Sequence, residues 1–574
     1  MNVLFLVSAH NGLSQRAWIA LTELGHEVAV AVVASAGAME AAVREHDPQL
    51  IACPYLKQMI PESIWSTRRC LIVHPGPPGD RGPSSLDWAI ERGERDWGVT
   101  VLQANGEPDA GRVWAARSFP MRGAGKSSLY RHEVRRAAIE ALVEAIVRIS
   151  ADEERPLPKL GRMVKGRTRP LMTQSVRAID WDRDHTDVVV RRIRAGEGQP
   201  GVLDAINGTQ FYLYGVHPEG VLRGRAGEII AQRTGAICRA TVDGAVWITH
   251  LRRRDTATER YFKLPAARAL SLAGIDLDVP ETASRADDGY REVTYAERGG
   301  VGYLHFDFYN GAMSTDQCVR LREAYAHARA RRETRVIVVM GGTDYFSNGI
   351  HLNMIEAAED PAAESWRNLR AIDDLVRDIV ETDSQLVISA LGGDAGAGGV
   401  PLAVAADYVV ARADIVLNPY YRHMGGLYGS EYWTYLLPRR MGHTATARLT
   451  EPPFRPIGAS EAVRIGLLDA AYGGNLEDFR AQTARLADRV AHDGLYHVRL
   501  QDRRRRRALD ERAKPLQAYR EEELARCRAC FFDPHHTYHE ARRRFVYKLG
   551  DHAAAASIRE VPSGHTERPS TKAA

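Results

Sequence analysis

The sequence predicts an α/β protein of several domains, and three observations lead to that prediction. The chain has 574 residues, more than one hydrophobic core usually organises, because domains typically contain about 100–200 residues. Short apolar runs alternate with helical periodicity in residues 1–150 and again in 290–475, which predicts parallel sheets covered by helices. Residues 167–275 contain short alternating strands between turns, which predicts a small, mostly-β, barrel-like domain.

The remaining segments separate or extend these domains. Residues 151–166 are rich in proline and charge and lack periodicity, so we expect a linker there. Residues 276–290 are polar and acidic and mark a second boundary. Residues 476–550 follow a helical pattern throughout. The last residues, 562–574, are rich in serine, threonine, proline and charge, which predicts a disordered tail.

The composition argues against several functional classes. The chain has 77 basic and 73 acidic residues, and this near balance gives no reason to expect a nucleic-acid partner. No run approaches the ~18 apolar residues that a membrane helix needs. Six dispersed cysteines and the lack of a signal-type N-terminus predict reduced thiols in the cytoplasm. No metal site is predicted, since a surface cluster explains His535, His536 and His539 better than ligation does.

A histidine follows directly on a predicted strand that ends at Val73. It opens the loop His74-Pro75-Gly76-Pro77-Pro78-Gly79-Asp80-Arg81-Gly82, whose glycines and prolines predict an irregular turn at the carboxyl end of the strand. A histidine there can exchange a proton near neutral pH. Asp109, which follows the predicted strand 98–103, could orient it. The same residues are also compatible with an ordinary loop histidine and a turn aspartate.

Short motifs around this histidine resemble those of the folate-dependent formyltransferases. They are, in order, His74-Pro75, Arg81-Gly82, Gly98-Val99-Thr100 and Asp109-Ala110-Gly111. The resemblance covers residues 1–275 and implies 10-formyltetrahydrofolate as the donor. It also implies catalytic roles for His74 and Asp109 and cofactor contacts at Arg81, Gly82 and Gln103.

One position departs from the formyltransferase pattern. The family has an asparagine where this chain has Ile72, and isoleucine cannot donate a hydrogen bond to the formyl oxygen. Donors to a developing oxyanion are usually a large contribution to acyl transfer. The site could therefore be slow, use another donor, or serve an acceptor such as a thiolate, which attacks carbonyls readily.

Two glycine-rich turns follow predicted strands in the second half, at residues 341–352 and 391–399. Backbone amides at such turns can hold an oxyanion, although glycines are also common in simple tight turns. The stretch 346–352, Phe-Ser-Asn-Gly-Ile-His-Leu, together with 395–399 and 459–469, resembles the crotonase superfamily over residues 290–550. That resemblance implies a crotonase-like α/β domain that polarises a coenzyme A thioester between the amides of Ile350 and Gly398. The further contacts that it implies are at Ser347, Gly349, Gly396, Gly399 and Arg542.

Departures from the crotonase pattern limit the chemistry. The two glutamates that activate water in hydratases correspond to Pro401 and Tyr420, so we do not expect hydration. Residues 418–433 are rich in tyrosine and contain Glu431 as their single glutamate or aspartate. We therefore predict Tyr420 or Glu431 as a proton relay, while most of the other aromatic residues would belong to the core or to an interface.

The joined architecture resembles the HoxX-type nickel–iron hydrogenase maturation proteins. This resemblance implies formyl transfer from 10-formyltetrahydrofolate to coenzyme A, followed by decarbonylation of formyl-CoA to carbon monoxide for the hydrogenase iron. It implies the hydrogenase or its maturation factors as partners. Two alternatives remain open: an amine formyltransferase whose second half only binds an acyl-CoA regulator, and a non-catalytic maturation chaperone.

Overall fold

The structure is a computed structural model that describes residues 1–151, 165–282 and 289–549. The predicted tail 562–574, residues 152–164 of the predicted linker and residues 283–288 of the second boundary lie outside the described residues. No described helix is both long and apolar enough to cross a bilayer.

The first region is built on one six-stranded sheet in the order β2-β1-β3-β4-β5-β6. Its central strands are fully buried, as their unbroken apolar sequences predict. Its elements are β1 Asn2–Val7, α1 Gly12–Glu23, β2 Glu27–Val32, α2 Ala36–His46, β3 Leu50–Cys53, α3 Glu62–Trp65, β4 Cys70–His74, α4 Ser85–Glu91, β5 Asp96–Gln103, β6 Val113–Pro120, α5 Lys126–Leu129, a π-helical turn Tyr130–Val134 and α6 Arg135–Ser150.

Strand direction decides which loops meet in this sheet. Strands β2, β1, β3 and β4 are parallel, so the loops after β1 and β4 leave the same edge. Strand β5 runs antiparallel to β4 and places Gln103 opposite Leu71, at the amino end of β4. The connection 104–112 therefore begins at the edge opposite His74 and has to fold back to reach it.

The second region is an antiparallel sheet in the order β7-β8-β11-β10-β9, with β12 paired to β11. The described residues contain no pairing between β7 and β9, so this sheet is open and does not close into a barrel. Helix α8 packs Val189 and Ile193 against Phe211 and Leu213 of the sheet. The elements are α7 Gln174–Arg177, α8 Thr186–Gly196, β7 Val202–Ile206, β8 Thr209–Glu219, β9 Ile229–Arg233, β10 Ala236–Ala240, β11 Ala245–Arg253, β12 Leu264–Pro265 and α9 Ala266–Leu272.

The third region contains two sheets, ordered β13-β14-β15-β17-β19-β22 and β16-β18-β20-β21. Long helices follow the sheets and pack over them, and α12 contacts α18. The elements are β13 Val293–Arg298, β14 Val301–Phe306, a 3₁₀ turn Tyr309–Gly311, α10 Thr315–Ala330, β15 Val336–Met340, β16 Tyr345–Ser347, α11 Leu352–Glu356, α12 Pro361–Val380, β17 Leu386–Leu391, β18 Asp394–Gly396, α13 Gly399–Val404, β19 Tyr408–Arg412, β20 Val416–Asn418, α14 Trp433–Thr450, β21 Ile457–Gly458, α15 Ala459–Arg464, β22 Ala470–Tyr472, α16 Leu476–His492, α17 Tyr496–Ala513, α18 Leu516–Phe532 and α19 Thr537–Tyr547.

The chain passes three times from the large sheet of this region to the small one, after β15, after β17 and after β19. Strands β16 and β18 then lie side by side in parallel. At the first crossing, a Cβ on Gly341 would lie 2.5 Å from the Cα of Phe346, so only glycine fits. The two following turns, near Gly349 and Gly398, consequently face each other.

Buried ion pairs join the first region to the third. The Arg135 guanidinium lies 2.8 Å from Asp394 Oδ2 and is only 2% exposed. One turn earlier, Arg131 Nη1 and His132 Nε2 lie 2.8 Å and 3.0 Å from the two carboxylate oxygens of Asp344. Buried charges without partners are strongly unfavourable, so these contacts fix how the two regions sit against each other.

We expect Arg135→Ala to lower the free energy of unfolding by about 3–5 kcal/mol, because the substitution leaves Asp394 buried without its cation. Urea denaturation followed by circular dichroism measures the change. Arg225→Ala is the matched control, since the Arg225 side chain is 86% exposed, and its effect should stay within about 0.5 kcal/mol. Equal stability of the two variants would contradict a structural role for the buried pair.

Candidate active sites

The imidazole of His74 lies between two carboxylates. Its Nε2 atom is 3.0 Å from Asp80 Oδ2 and its Nδ1 atom is 3.3 Å from Asp109 Oδ1. Burial disfavours the charged ring, but the hydrogen bonds and charges of Asp109 and Asp80 outweigh it and raise the pKa of His74 to about 9. With an acceptor at each nitrogen, the ring is an imidazolium at neutral pH.

Asp80 is a site residue that the sequence analysis missed. It follows His74 by six positions, and the loop brings it back because Gly76 has no side chain: a Cβ there would overlap both Asp80 and His74. The Thr100 hydroxyl donates a 2.8 Å hydrogen bond to the Gly76 carbonyl and fixes the loop. The Asp80 side chain is fully buried. The glycines at positions 76 and 79 were the available signal, because they permit so tight a return.

Asp109 reaches His74 through the folded connection 104–112. Its backbone is left-handed, with φ at 53°, and its Oδ2 atom accepts a 3.2 Å hydrogen bond from the Gly82 N–H. Burial would raise the pKa of Asp109, but the hydrogen bond and charge of His74 lower it below its ordinary value. The side chain is 18% exposed, so Asp109 is the more accessible of the two carboxylates.

The other predicted folate-site residues lie in different surroundings. Arg81 is exposed and its Nη1 atom lies 3.5 Å from Glu107. The Gly82 N–H holds Asp109. Gln103 lies opposite the amino end of β4, and its side chain accepts a hydrogen bond from the Trp114 indole. Strand β5 runs antiparallel to β4, and this direction carries Gln103 to the sheet edge opposite His74.

In the third region, the two glycine-rich turns bring two backbone amides together. Gly349 has φ at 75°, and a Cβ on it would lie 3.1 Å from the Gly398 nitrogen. Among the described residues, neither the Ile350 N–H nor the Gly398 N–H has a hydrogen-bond acceptor. Both residues line the same cavity. Two such free donors can stabilise an oxyanion.

The neighbouring predicted residues support these turns. The Ser347 hydroxyl is buried and accepts a 3.1 Å hydrogen bond from the Gly349 N–H. Gly399 packs against the Ser347 carbonyl so closely that a Cβ would overlap it. Gly396 lines the cavity, and a Cβ on it would approach Asn348 Oδ1 to 3.0 Å.

Glu431 is the carboxyl group beside the two amides. Its Oε1 atom occupies the place that a Cβ on Gly398 would take. Its Oε2 atom accepts hydrogen bonds of 2.8 Å from the Tyr421 hydroxyl and 3.0 Å from the Ser430 N–H. Burial and the charge of Asp373 raise the pKa of Glu431 well above its usual range. This carboxyl group can therefore hold a proton close to neutral pH.

The phenol that contacts Glu431 is Tyr421 and not the predicted Tyr420. Tyr420 lines the cavity, but its hydroxyl donates to Asn418 Oδ1 at 3.0 Å, and its ring packs near His423 and Phe454. The order of side chains along an irregular loop is not periodic, so the sequence alone could not distinguish the two adjacent tyrosines.

Arg542 is not a ligand-facing residue. Its side chain is 4% exposed, and its Nε atom donates to Glu356 at 2.7 Å. Lys548, just past the end of α19, lines the cavity instead. His536 caps the start of the same helix. Residues 1–151, 165–282 and 289–549 contain no group of three or more His, Cys, Asp or Glu side chains suited to a metal ion.

One cavity of about 950 Å³ links the regions. It is lined by Ile350, Gly398 and Glu431 of the third region and by residues of the first two regions such as Gly12 and Lys263. Its described lining does not include His74, Asp80 or Asp109. Gly12 follows β1, however, and the ends of β1 and β4 lie about 10 Å apart at one sheet edge, since a single strand separates them.

The cavity carries more cationic than anionic side chains. The cationic residues in its lining are Arg131, Arg252, Arg260, Lys263 and Lys548, and the anionic ones are Asp255, Asp394 and Glu431. The Lys263 ammonium lies over the ring of Tyr214 at 3.7 Å and donates to the Tyr309 hydroxyl at 2.6 Å. Burial lowers the pKa of Lys263 to about 8. Such a lining suits a long ligand that carries phosphate groups.

Three protein-family models match the chain in succession. They are formyl transferase over residues 2–146, the formyl transferase C-terminal domain over 171–261 and enoyl-CoA hydratase/isomerase over 299–549. The chain therefore contains formyltransferase domains followed by a crotonase-like domain.

Curated relatives match either the whole chain or one part of it. The hydrogenase maturation factor HoxX of Bradyrhizobium diazoefficiens is 47% identical over 552 residues, which cover 96% of this chain and 95% of the relative. A methionyl-tRNA formyltransferase of Enterococcus faecalis is 24% identical over 30% of this chain and 56% of its own length.

A solved structure resembles the whole chain. HypX from Aquifex aeolicus, crystallised in complex with tetrahydrofolic acid, has a TM-score of 0.90 and 42% sequence identity and covers 96% of both chains. The arrangement of all three regions is thus shared with a protein that binds a folate.

We expect the pKa of His74 to fall by at least about one unit in Asp80→Asn, because the variant removes one of the two negative charges on the ring. Titration of the His74 signal by nuclear magnetic resonance, with isotope-labelled histidine, measures a midpoint near 9 in the parent protein. Glu107→Gln is the control, since this exposed carboxylate contacts Arg81 and should leave the midpoint nearly unchanged. An unmoved midpoint in Asp80→Asn would exclude Asp80 from the site.

Proposed function

The chain belongs to the HoxX-type family of hydrogenase maturation factors, and from that premise we propose that it transfers a formyl group from 10-formyltetrahydrofolate to coenzyme A and decarbonylates the product. The single observation that carries the proposal is the shared cavity, which joins the free amides of Ile350 and Gly398 to the formyltransferase part of the chain. The cavity reaches Gly12, at the same sheet edge as His74, which supports a carrier that visits both sites without leaving the protein.

The first step places formyl transfer at His74. The sulfur of coenzyme A attacks the formyl carbon, the carbon–nitrogen bond to the folate breaks, and the thiol proton passes to the folate nitrogen. The imidazolium, held by Asp80 and Asp109, offsets the negative charge that develops on the formyl oxygen. Because Ile72 supplies no donor, a thiolate is the acceptor best suited to this site: it is a strong nucleophile once deprotonated.

The second step takes place between the two glycine-rich turns. The amides of Ile350 and Gly398 hold the thioester oxygen, and the Glu431 carboxylate removes the formyl proton. The carbon–sulfur bond breaks with its electron pair on sulfur, the electron pair of the former carbon–hydrogen bond remains on carbon, and carbon monoxide leaves. Glu431 then passes the proton to the thiolate, while the Tyr421 hydroxyl steadies the carboxylate. Formyl-CoA thus gives carbon monoxide and coenzyme A, with no net change in protons.

The electrostatics of Glu431 suit both halves of that proton transfer. A base of raised pKa removes a proton more readily than an ordinary carboxylate does. The same raised pKa lies closer to that of a thiol, about 8.5, so the return of the proton to sulfur is nearly balanced.

The proposed destination of the carbon monoxide is the iron of a nickel–iron hydrogenase, with the hydrogenase or its maturation factors as partners in the cytoplasm. The family membership supports this assignment.

The decisive experiment supplies the purified protein with 10-formyltetrahydrofolate and coenzyme A, and measures tetrahydrofolate in solution and carbon monoxide in the headspace by gas chromatography. Both products should appear, and both should be lost when coenzyme A is omitted. Tetrahydrofolate released with an amine in place of coenzyme A, without carbon monoxide, would support the amine formyltransferase instead. A protein that releases neither product would be a non-catalytic maturation factor.

We expect Glu431→Gln to lower carbon monoxide release at least about 100-fold, because general acid–base catalysis typically contributes that much or more. Tetrahydrofolate release should persist, since Glu431 lies at the second site only. The matched control is Glu451→Gln, at the exposed end of α14, which should retain both activities. Undiminished carbon monoxide release in Glu431→Gln would remove this residue from the mechanism.

A further inference from the structure

Glu431 sits on a strained turn. Its φ is 63° and that of the next residue, Tyr432, is 59°, so two consecutive residues with side chains occupy the left-handed region. That conformation is uncommon outside glycine, asparagine and aspartate, and it persists only where neighbouring groups enforce it. Two buried carboxyl groups, one on α12 and one on α18, hold this turn.

A buried aspartate on α12 holds the turn from one side. Asp373 Oδ1 accepts a 2.8 Å hydrogen bond from the Glu431 N–H, and its Oδ2 accepts one of 2.9 Å from the Ser430 hydroxyl. The Asp373 side chain is fully buried. Its nearest cation is Arg520, with Nε at 3.8 Å, which is too long for a direct hydrogen bond.

A buried glutamate on α18 holds the turn from the other side. Glu523 Oε2 accepts hydrogen bonds of 2.9 Å from the Tyr432 N–H and 3.3 Å from the Ser430 hydroxyl. Its Oε1 atom accepts one of 2.8 Å from the Thr434 N–H at the start of α14. Glu523 is 1% exposed. The Ser430 hydroxyl lies between the two carboxylates and within reach of both.

Carboxyl groups outnumber cations around Glu431, and burial raises the pKa of Asp373 and of Glu523 well above the ordinary range, so their negative charges develop only as the pH rises. Asp373 on α12 and Glu523 on α18 are the carboxylates, and Arg520 on α18 is the cation near them. The remaining titratable groups are Tyr421 on the same loop, Cys318 on α10 and Cys527 on α18. Burial raises the pKa of both thiols, so they are neutral near pH 7. One cation thus faces three buried carboxyl groups.

We propose that Asp373 and Glu523 are positioning residues for Glu431: their hydrogen bonds fix the turn that aims its carboxyl group at Gly398. Neither residue is among those that line the cavity within the described chain, so both act through Glu431 and not on the substrate. The inference rests on the proposed function, because it explains how Glu431 can remove the formyl proton and return it to sulfur.

The sign of the effect follows from the charges. An ionised neighbour disfavours ionisation of Glu431, so the removal of either neighbouring charge makes Glu431 ionise at lower pH. Because the base form of Glu431 starts the reaction, carbon monoxide release should rise with pH as Glu431 ionises. Loss of a neighbouring charge should move that rise to lower pH and reduce the plateau, since a weaker base reacts more slowly.

The test adds formyl-CoA directly to the full-length protein, so that the first site is bypassed, and records carbon monoxide release against pH. In Asp373→Asn, which keeps an oxygen able to accept the Glu431 N–H, we expect the midpoint to fall by at least about one pH unit. Glu523→Gln should shift it in the same direction. Asp378→Asn on the same helix, where the parent residue pairs with Arg322, is the matched control and should keep the parental midpoint.

A second readout does not depend on catalysis. The carbonyl stretch of protonated Glu431, assigned by its loss in Glu431→Gln, can be titrated by difference infrared spectroscopy, and it should disappear at lower pH in Asp373→Asn. A parent protein that makes no carbon monoxide would overturn the proposed function, while the infrared titration would still decide the positioning role. An unmoved midpoint in both Asp373→Asn and Glu523→Gln, even with a slower reaction, would overturn that role and leave the proposed function standing.

Discussion

The contacts of Arg131, His132 and Arg135 with the two glycine-rich turns are those on which the rest of the molecule depends. Asp344 directly precedes β16, and Asp394 is the first residue of β18. Their partners are Arg131 and His132 in the π-helical turn and Arg135 at the start of α6. Because the Arg135 guanidinium is buried against Asp394, separation of the two regions would leave a buried charge without its partner. The first region therefore also contributes residues to the cavity that contains the second site.

Both chemical sites use the same physical device, a titratable group whose proton affinity is set by buried carboxylates. At His74 two carboxylates stabilise the charged ring, so the group keeps its proton. At Glu431 burial and neighbouring carboxylates oppose ionisation, so the group also keeps a proton for longer than an ordinary side chain would. The first arrangement favours stabilisation of an oxyanion, and the second favours repeated proton transfer.

Sequence reasoning predicted two candidate sites, and the structure brings some of their predicted residues together and adds others. Motifs that occupy consecutive positions, such as His74-Pro75 and the turn around Gly349, are recognisable because their local geometry is set by adjacent residues. Asp80 was missed because a proline–glycine loop has no period from which the direction of a side chain can be inferred. For the same reason the sequence could not indicate that Tyr421, and not Tyr420, contacts Glu431. The ion pair of Arg542 with Glu356 was not predictable either, because the sequence of a helix does not show which buried group its cation faces.

The sequence by itself determined the α/β character, the order of the regions, the histidine at the end of β4 and the two glycine-rich turns. These depend on apolar periodicity and on short motifs, which are local properties of the chain. Only the tertiary structure decided that β5 runs antiparallel, that the small β sheet stays open and that Asp373 and Glu523 meet behind Glu431. Those features pair residues that lie far apart along the chain, and such pairing is set by the packing of whole elements.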